Sequence, residues 1–318
     1  MTYSGGIRSL RKAHVSAGKS TENIRLRVKN RPHYFSLLWS DVYSLYEIAI
    51  GRSRVYRPNV LPNPIFYKQA FSFLKEGILL LLMRRKQTTL LRYKPTYNED
   101  GLFTNHNCDF IDDPLFKEAY ELGFATKSSK GWHYRWKVYT ACWLADRATR
   151  MDGDFVECGT YKGMTARAIA HYTNFGSLDK KFYLVDTFSG LVPEFESENE
   201  RQRENPAHLY EDCFEEVKQT FSEFNNVVIC RGRIPDILSS ISVTNICFLH
   251  IDLNNALPEM AAGNHFWERV VPHGAILLDD YAYPGYEEQK VAWDHFAKDK
   301  GLQILSLPTG QGLILKPK

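Results

Sequence analysis

From Asp154 to Lys318 the chain repeats one pattern: a short apolar run, then a longer stretch of mixed polarity. The runs are "DFVECG" (154–159), "KFYLVDTF" (181–188), "NVVICRG" (226–232), "ICFLHIDL" (246–253), "AILLDDY" (275–281), "LQILSL" (302–307) and "GLILKP" (312–317). Most are apolar at consecutive rather than alternate positions, which suits strands buried on both faces. Helix-like stretches lie at 164–174, 209–224 and 285–301, the last ending at Gly301. Strand and helix alternating in this way lead to an α/β fold with a doubly wound, mainly parallel sheet. The last two runs are joined by "PTGQ" (308–311), close enough for a hairpin that puts an antiparallel strand at the sheet's end.

Such a sheet binds ligands beyond the carboxyl ends of its strands, and four runs end there in acids or glycines. "FVECGTYKGMTARAIA" turns from Glu157 through Gly159, Thr160, Tyr161, Lys162 and Gly163 into a helix. Its glycines permit close backbone approach and its helix start offers N–H donors. The turn matches neither the dinucleotide fingerprint nor the phosphate loop. "FYLVDTFSGL" ends in Asp186, placed as the acid that meets ribose hydroxyls in nucleoside-binding folds. "FLHIDLNNA" ends in Asp252, and "GAILLDDYAYPG" in Asp279 and Asp280.

Two carboxylates about 6 Å apart repel by roughly 2–3 kcal/mol at an effective dielectric near 20. A third carboxylate at the same depth is costly unless a cation joins it. A hard divalent ion with oxygen ligands, commonly Mg²⁺, removes the conflict. Asp252, Asp279 and Asp280 are therefore expected to bind a metal. His250 precedes Asp252 by two and shares its face. It reads either as a catalytic neighbour of Asp252 or as a supporting core residue.

The 318 residues suffice for one large α/β domain with an added segment. A net charge of +3 is too small to indicate nucleic acid. Six cysteines without a CxxC pair read as core residues, and zinc is not expected. No apolar stretch opens the chain, so a cytoplasmic location is expected. Residues 1–100 lack the strand–helix rhythm and form an expected accessory region, mainly helical, with 101–318 as the main domain. Seven Lys or Arg lie in residues 1–30 against the single acid Glu22, and "RPNVLPNP" (57–64) reads as an extended connector. The segment 71–91 carries an apolar run, Ile78 to Met83, too short to span a bilayer. It reads first as a helix docking on the main domain or on a second copy of the chain. The alternative is a peripheral contact at the inner membrane face through Arg84, Arg85 and Lys86.

The order "ECGTYKG", "VDTFSGL", "LHID", "GAILLDDY", "AWDHF" resembles the metal-dependent sugar O-methyltransferases typified by macrocin and mycinamicin O-methyltransferases. The likeness runs from about Trp132 to Lys318. It implies a class I S-adenosylmethionine-dependent methyltransferase with a Rossmann-like seven-stranded sheet. By that resemblance Glu157, Gly159, Thr160, Tyr161, Lys162 and Gly163 hold the methionine part of the cofactor. Asp186 holds its ribose, with Thr187, Phe188 and Ser189 beside the nucleoside. Asp252, Asp279 and Asp280 match the family's Mg²⁺ ligands, and Asp252 is the general base, directly or through water. The implied substrate is a small molecule or glycan with vicinal hydroxyls.

One departure stands out: where the family continues D-x-D-x-Y, this chain reads Asp252-Leu253-Asn254-Asn255-Ala256. The change bears on acceptor contacts more than on metal binding. Three rivals are a nicotinamide-dependent sugar-modifying enzyme, a nucleotide-sugar glycosyltransferase and a catalytically altered scaffold. The first lacks its glycine fingerprint, the second the D-x-D that Asn254 breaks, and the intact acids argue against the third.

Overall fold

In a computed structural model, which describes residues 95–203 and 210–318, every one of the seven apolar runs contributes a strand to one sheet. A separate hairpin comes first, β1 (Tyr97–Glu99) and β2 (Leu102–Thr104), followed by helices α1 (Pro114–Phe124) and α2 (Arg135–Ala148). Then come β3 (Asp154–Cys158), α3 (Met164–Tyr172), β4 (Phe182–Asp186), a one-turn helix α4 (Glu198–Arg201) and α5 (Phe214–Thr220). The chain continues through β5 (Val227–Arg231), β6 (Ile246–Ile251), α6 (Ala256–Phe266) and β7 (Val270–Leu278). It closes with α7 (Glu287–Asp299), β8 (Leu305–Ser306) and β9 (Gly312–Leu315).

The strand order is β5-β4-β3-β6-β7-β9-β8. Strands β3 to β7 are parallel, and β9 runs antiparallel to both its neighbours. The expected final hairpin forms, with its antiparallel strand one place in from the edge and β8 outermost. Strand order reverses between β3 and β6, and a crevice opens at such a point.

Consecutive strand residues serve opposite faces. Phe155, Phe182, Leu184, Phe248 and Leu277 pack with α1, α2 and α3, whereas Val156, Val185, Leu249, Ile251 and Ile276 pack with α6 and α7. Burial on both sides accounts for the unbroken apolar runs. Asp113 caps α1 by accepting from Phe116 N at 2.9 Å, with Pro114 in the first turn. A Cβ on Gly123 would lie 2.5 Å from Met164 O, so glycine lets α1 rest on the start of α3.

Helices α1, α2 and α6 were not expected. In α6, "ALPEMAAGNHF", small residues and an early proline blur the helical period. Conversely, the stretch 209–224 yields only α5. Cys213 N donates to Phe188 O at 2.9 Å, and Lys162 pairs with Glu211, so tertiary contacts claim the residues before the helix. Strand β7 begins five residues before Ala275, at Val270.

Residues 1–94 lie outside the described residues, and with them most of the expected accessory region, the connector and the 71–91 segment. The division expected at residue 100 falls inside the β1–β2 turn, formed by Asp100 (φ 50°) and Gly101 (φ 74°). Positive φ at both central residues is what a tight two-residue hairpin requires, and Asp-Gly supplies it. Among the described residues no helix is long and apolar enough to cross a membrane.

Glu259 of α6 is 3% exposed and accepts from Trp293 Nε1 at 2.7 Å and Gln289 Nε2 at 2.6 Å on α7. Burial pushes its carboxyl up to about 8, against the pull of those two donors. The folded chain thus keeps a proton that the unfolded chain releases above its ordinary value of 4.5. Stability contributed at low pH is lost as pH rises through that window. Glu259→Gln, followed by thermal denaturation from pH 4.5 to 8, is expected to show a flatter pH dependence than the parent.

Candidate functional site

Four strand ends continue their ladders one residue into the loops. Gly159 N donates to Val185 O at 2.9 Å, Asp252 N to Cys158 O at 2.8 Å, and Asp279 N to Ile251 O at 3.0 Å. Gly232 N does the same toward Asp186 O at 2.9 Å. These bonds align Asp186, Gly159, Asp252 and Asp279 at one level. A cleft of about 310 Å³ lies there, lined among others by Glu157, Thr160, Tyr161, Asp186, Thr187, Asp252, Asp279 and Asp280.

At one end Asp186 ties two loops together. Its Oδ2 accepts from Tyr161 N at 2.7 Å and its Oδ1 from Phe188 N at 2.6 Å. Both donors sit in left-handed backbone, φ 46° and 53°, a conformation that needs outside support in non-glycine residues. Burial raises the Asp186 carboxyl, while these N–H groups hold it down. Gly159, at φ 90°, has no room for a side chain: a Cβ would stand 1.8 Å from Asp252 O. Its close approach is therefore to the protein's own backbone, where the sequence suggested a ligand.

Of the ten residues expected around the cofactor, Glu157, Gly159, Thr160, Tyr161, Asp186 and Thr187 line the cleft. Lys162, Gly163, Phe188 and Ser189 are not among its lining residues. Lys162 turns to Glu211 and Glu216, Gly163 lies under the Phe221 ring, Phe188 is buried against Phe214, and Ser189 is exposed. Glu157 Oε2 and Thr160 Oγ1 are buried without a hydrogen-bond partner among the described residues.

At the other end one carboxylate oxygen from each of Asp252, Asp279 and Asp280 lies within 4.8 Å of the others. An ion with bonds near 2.1 Å can touch oxygens spaced this way after small side-chain adjustments. Lys137 of α2 already places a cation here, its Nζ 3.0 Å from Asp279 Oδ2 and 3.2 Å from Asp280 Oδ1. Burial opposes the Lys137 charge, but Asp279, Asp280 and Asp100 outweigh it and hold its pKa well above the ordinary value. Burial likewise raises Asp252 strongly, reinforced by the charges of Asp279 and Asp280. Against the cost of burial, Lys137 and His250 keep Asp279 low.

His250 is 1% exposed, with Nδ1 3.0 Å from Glu157 Oε1 and Nε2 3.6 Å from Asp279 Oδ1. Burial disfavours its charge, yet Asp279 and Glu157 push it up to about 10. An imidazolium has no free lone pair. His250 lies between Glu157 and Asp279, where it is placed to orient both carboxylates. Three residues absent from the sequence-based site also converge here. Lys137 is one, Asp100 from the β1–β2 turn is another, and Gln311 from the β8–β9 turn donates to Asp279 Oδ1 at 3.1 Å. An Asp-Gly pair marks a hairpin, but nothing near Lys137 or Gln311 in the chain announces a site.

Asn254, where the likeness calls for an acid, has φ 60°. Its amide donates to Asp252 Oδ1 at 3.3 Å and its carbonyl accepts from Tyr286 OH at 3.0 Å. Asn255 starts α6, whose Ala256 N donates to Glu200 Oε1 at 2.8 Å.

A family model described as macrocin-O-methyltransferase (TylF) matches residues 134–305. None of the curated proteins matches in sequence. Among solved structures, the O-methyltransferase NovP is 17% identical, with a TM-score of 0.52 over 66% of this chain and 98% of its own. The calicheamicin methyltransferase CalS11 is 14% identical, with a TM-score of 0.47 over 66% and 94%. The likeness to NovP shows the same Rossmann-like fold.

The loop-tying role of Asp186 gives a direct test. Asp186→Asn turns an NH₂ toward one of two N–H donors, and the lost bond is expected to cost about 1–3 kcal/mol. Denaturant unfolding without ligand measures that loss.

Proposed function

The chain belongs to the macrocin-O-methyltransferase (TylF) family and is an S-adenosylmethionine-dependent O-methyltransferase; from that premise we propose that it methylates a sugar hydroxyl in a glycoside or glycan, with Mg²⁺ held by Asp252, Asp279 and Asp280. The carrying observation is the meeting of those three carboxylates, within 4.8 Å, at the floor of a cleft that also contains Glu157, Thr160 and Asp186. The unpartnered Glu157 Oε2 and Thr160 Oγ1 are acceptors suited to the ammonium of a methionine moiety. Asp186 lines the same cleft, its carboxylate held by Tyr161 N, Phe188 N and Thr187 Oγ1 at the strand end where a ribose hydroxyl would meet it. Gly159, Tyr161 and Thr187 supply the adjoining wall.

Methyl transfer from a sulfonium is an in-line displacement, so positioning the acceptor oxygen carries much of the catalysis. Bound to the three aspartates, Mg²⁺ would lower the pKa of a vicinal hydroxyl. Burial and the charges of Asp279 and Asp280 raise the Asp252 carboxyl; at the end of β6 among the three acids it is placed to receive the hydroxyl proton once a bound cation would keep it ionised. His250 fixes Asp279 and Glu157, and Gln311 fixes Asp279 from the opposite hairpin. Asn254 directs its amide at Asp252 Oδ1, leaving that acid without a like charge at this position. Residues 101–318 form the methyltransferase domain in this reading.

Calorimetric titration with S-adenosylmethionine, followed by a panel of glycosides bearing vicinal hydroxyls, tests the proposal. Binding of NAD or a nucleotide sugar instead would overturn it. Asp252→Ala is expected to lower turnover by about 10²–10⁴-fold, the range of a lost general base. Its affinity for S-adenosylmethionine should stay close to the parent's. Unchanged turnover would remove Asp252 from the base role.

A further inference from the structure

Both oxygens of Asp279 already face donors: Oδ2 meets Lys137 Nζ at 3.0 Å, and Oδ1 meets Gln311 Nε2 at 3.1 Å and His250 Nε2 at 3.6 Å. Lys137 Nζ also donates to Asp280 Oδ1 at 3.2 Å. The ammonium therefore bridges two of the three acids assigned to the divalent ion. A monovalent and a divalent cation about 4 Å apart repel by roughly 8 kcal/mol at an effective dielectric near 20. The two cannot share this seat.

Lys137 has somewhere to go. Asp100, at the tip of the β1–β2 hairpin, has its Oδ2 3.6 Å from Nζ, and that oxygen is buried with no hydrogen-bond partner. Its other oxygen is fixed by Tyr283 OH at 2.9 Å, and the Tyr283 ring lies 4.6 Å from Nζ. Asp100 is itself locked in place. Glu99 beside it accepts from Arg135 N at 3.1 Å, Tyr97 OH receives Trp136 N at 3.0 Å, and both bonds lead to the start of the helix that carries Lys137. A buried carboxylate oxygen without a partner is costly, and a short rotation of the lysine chain would satisfy it while keeping the ring contact.

We propose that Lys137 is a tethered cation that holds Asp279 and Asp280 together before the divalent ion arrives, and yields the seat by moving onto Asp100. Lys137 is then a positioning residue, and Asp100 is its landing site. The β1–β2 hairpin becomes part of the ion site without touching the ion. This rests on the metal reading above.

Binding of Mn²⁺ alone to the full chain, followed by electron paramagnetic resonance, separates the two ideas. An occupant that fills the seat nine-tenths of the time weakens apparent affinity about tenfold. Lys137→Met, and Lys137→Gln as a second neutral replacement, should therefore bind Mn²⁺ about tenfold tighter or better. Asp100→Asn should bind more weakly than the parent, and this penalty should vanish in the Lys137→Met background. That non-additivity marks direct coupling, whereas a bare loss of charge would persist in both backgrounds. Thermal denaturation should show the lysine variants losing stability without ion and regaining more than the parent when Mn²⁺ is added. Lysine variants that bind Mn²⁺ no tighter, or an Asp100 penalty equal in both backgrounds, would overturn the proposal while leaving the metal reading intact. Absence of Mn²⁺ binding in parent and lysine variants alike would overturn both.

Discussion

Charge compensation in a small volume is the constraint on which the rest of this structure depends. Asp252, Asp279, Asp280 and Asp100 crowd around one ammonium, Lys137, with His250 and Glu157 paired just beneath. Carboxylates so placed repel and lose hydration together, and their ionised forms survive only where cations or donors meet them. The fold brings groups to this point from three separate directions. Helix α2 delivers Lys137, the β8–β9 turn delivers Gln311, and the β1–β2 turn delivers Asp100 with its grip on Tyr283. Elements that look peripheral in a strand–helix diagram are thus tied to the centre.

The sheet makes this crowding possible because its ladders extend past the strands. Backbone bonds from Gly159, Asp252 and Asp279 to neighbouring strands fix three loop starts at a common height. Gly159 is part of the same device, since any side chain there would collide with the Asp252 carbonyl. Asp186 plays a comparable part at the other end, holding two left-handed residues in adjoining loops. Rigid loops of this kind preorganise the walls of the cleft, so that whatever binds there meets groups already in place.

Much of the framework was legible in the chain. Strands buried on both faces must be apolar throughout, so β3 to β7 announced themselves, and the acids that interrupted them marked the ligand end. Asp252, Asp279 and Asp280 could be grouped because each ended such a run. The lining of the cleft was read less well. Lys162, Phe188, Gly163 and Ser189 share a loop with true cleft residues, and loop membership says nothing about which way a side chain turns. The same limit concealed α2 and α6. Their helical faces are defined by what they pack against, and in α6 small residues leave little periodicity to see.

What the sequence alone determined is the part governed by local rules: strand burial, a mainly parallel sheet, and acids at strand ends. What only the tertiary structure decided is the electrostatics. Lys137 and Asp279 are 142 positions apart in the chain, yet their side chains meet at 3.0 Å. The charge on His250 depends on Glu157 and Asp279, which lie on either side of it in the folded sheet. Protonation, cation placement and side-chain direction are set by every group within a few ångströms. Neighbours in space at that range are fixed by the packing of the whole domain, so no local stretch of sequence can specify them.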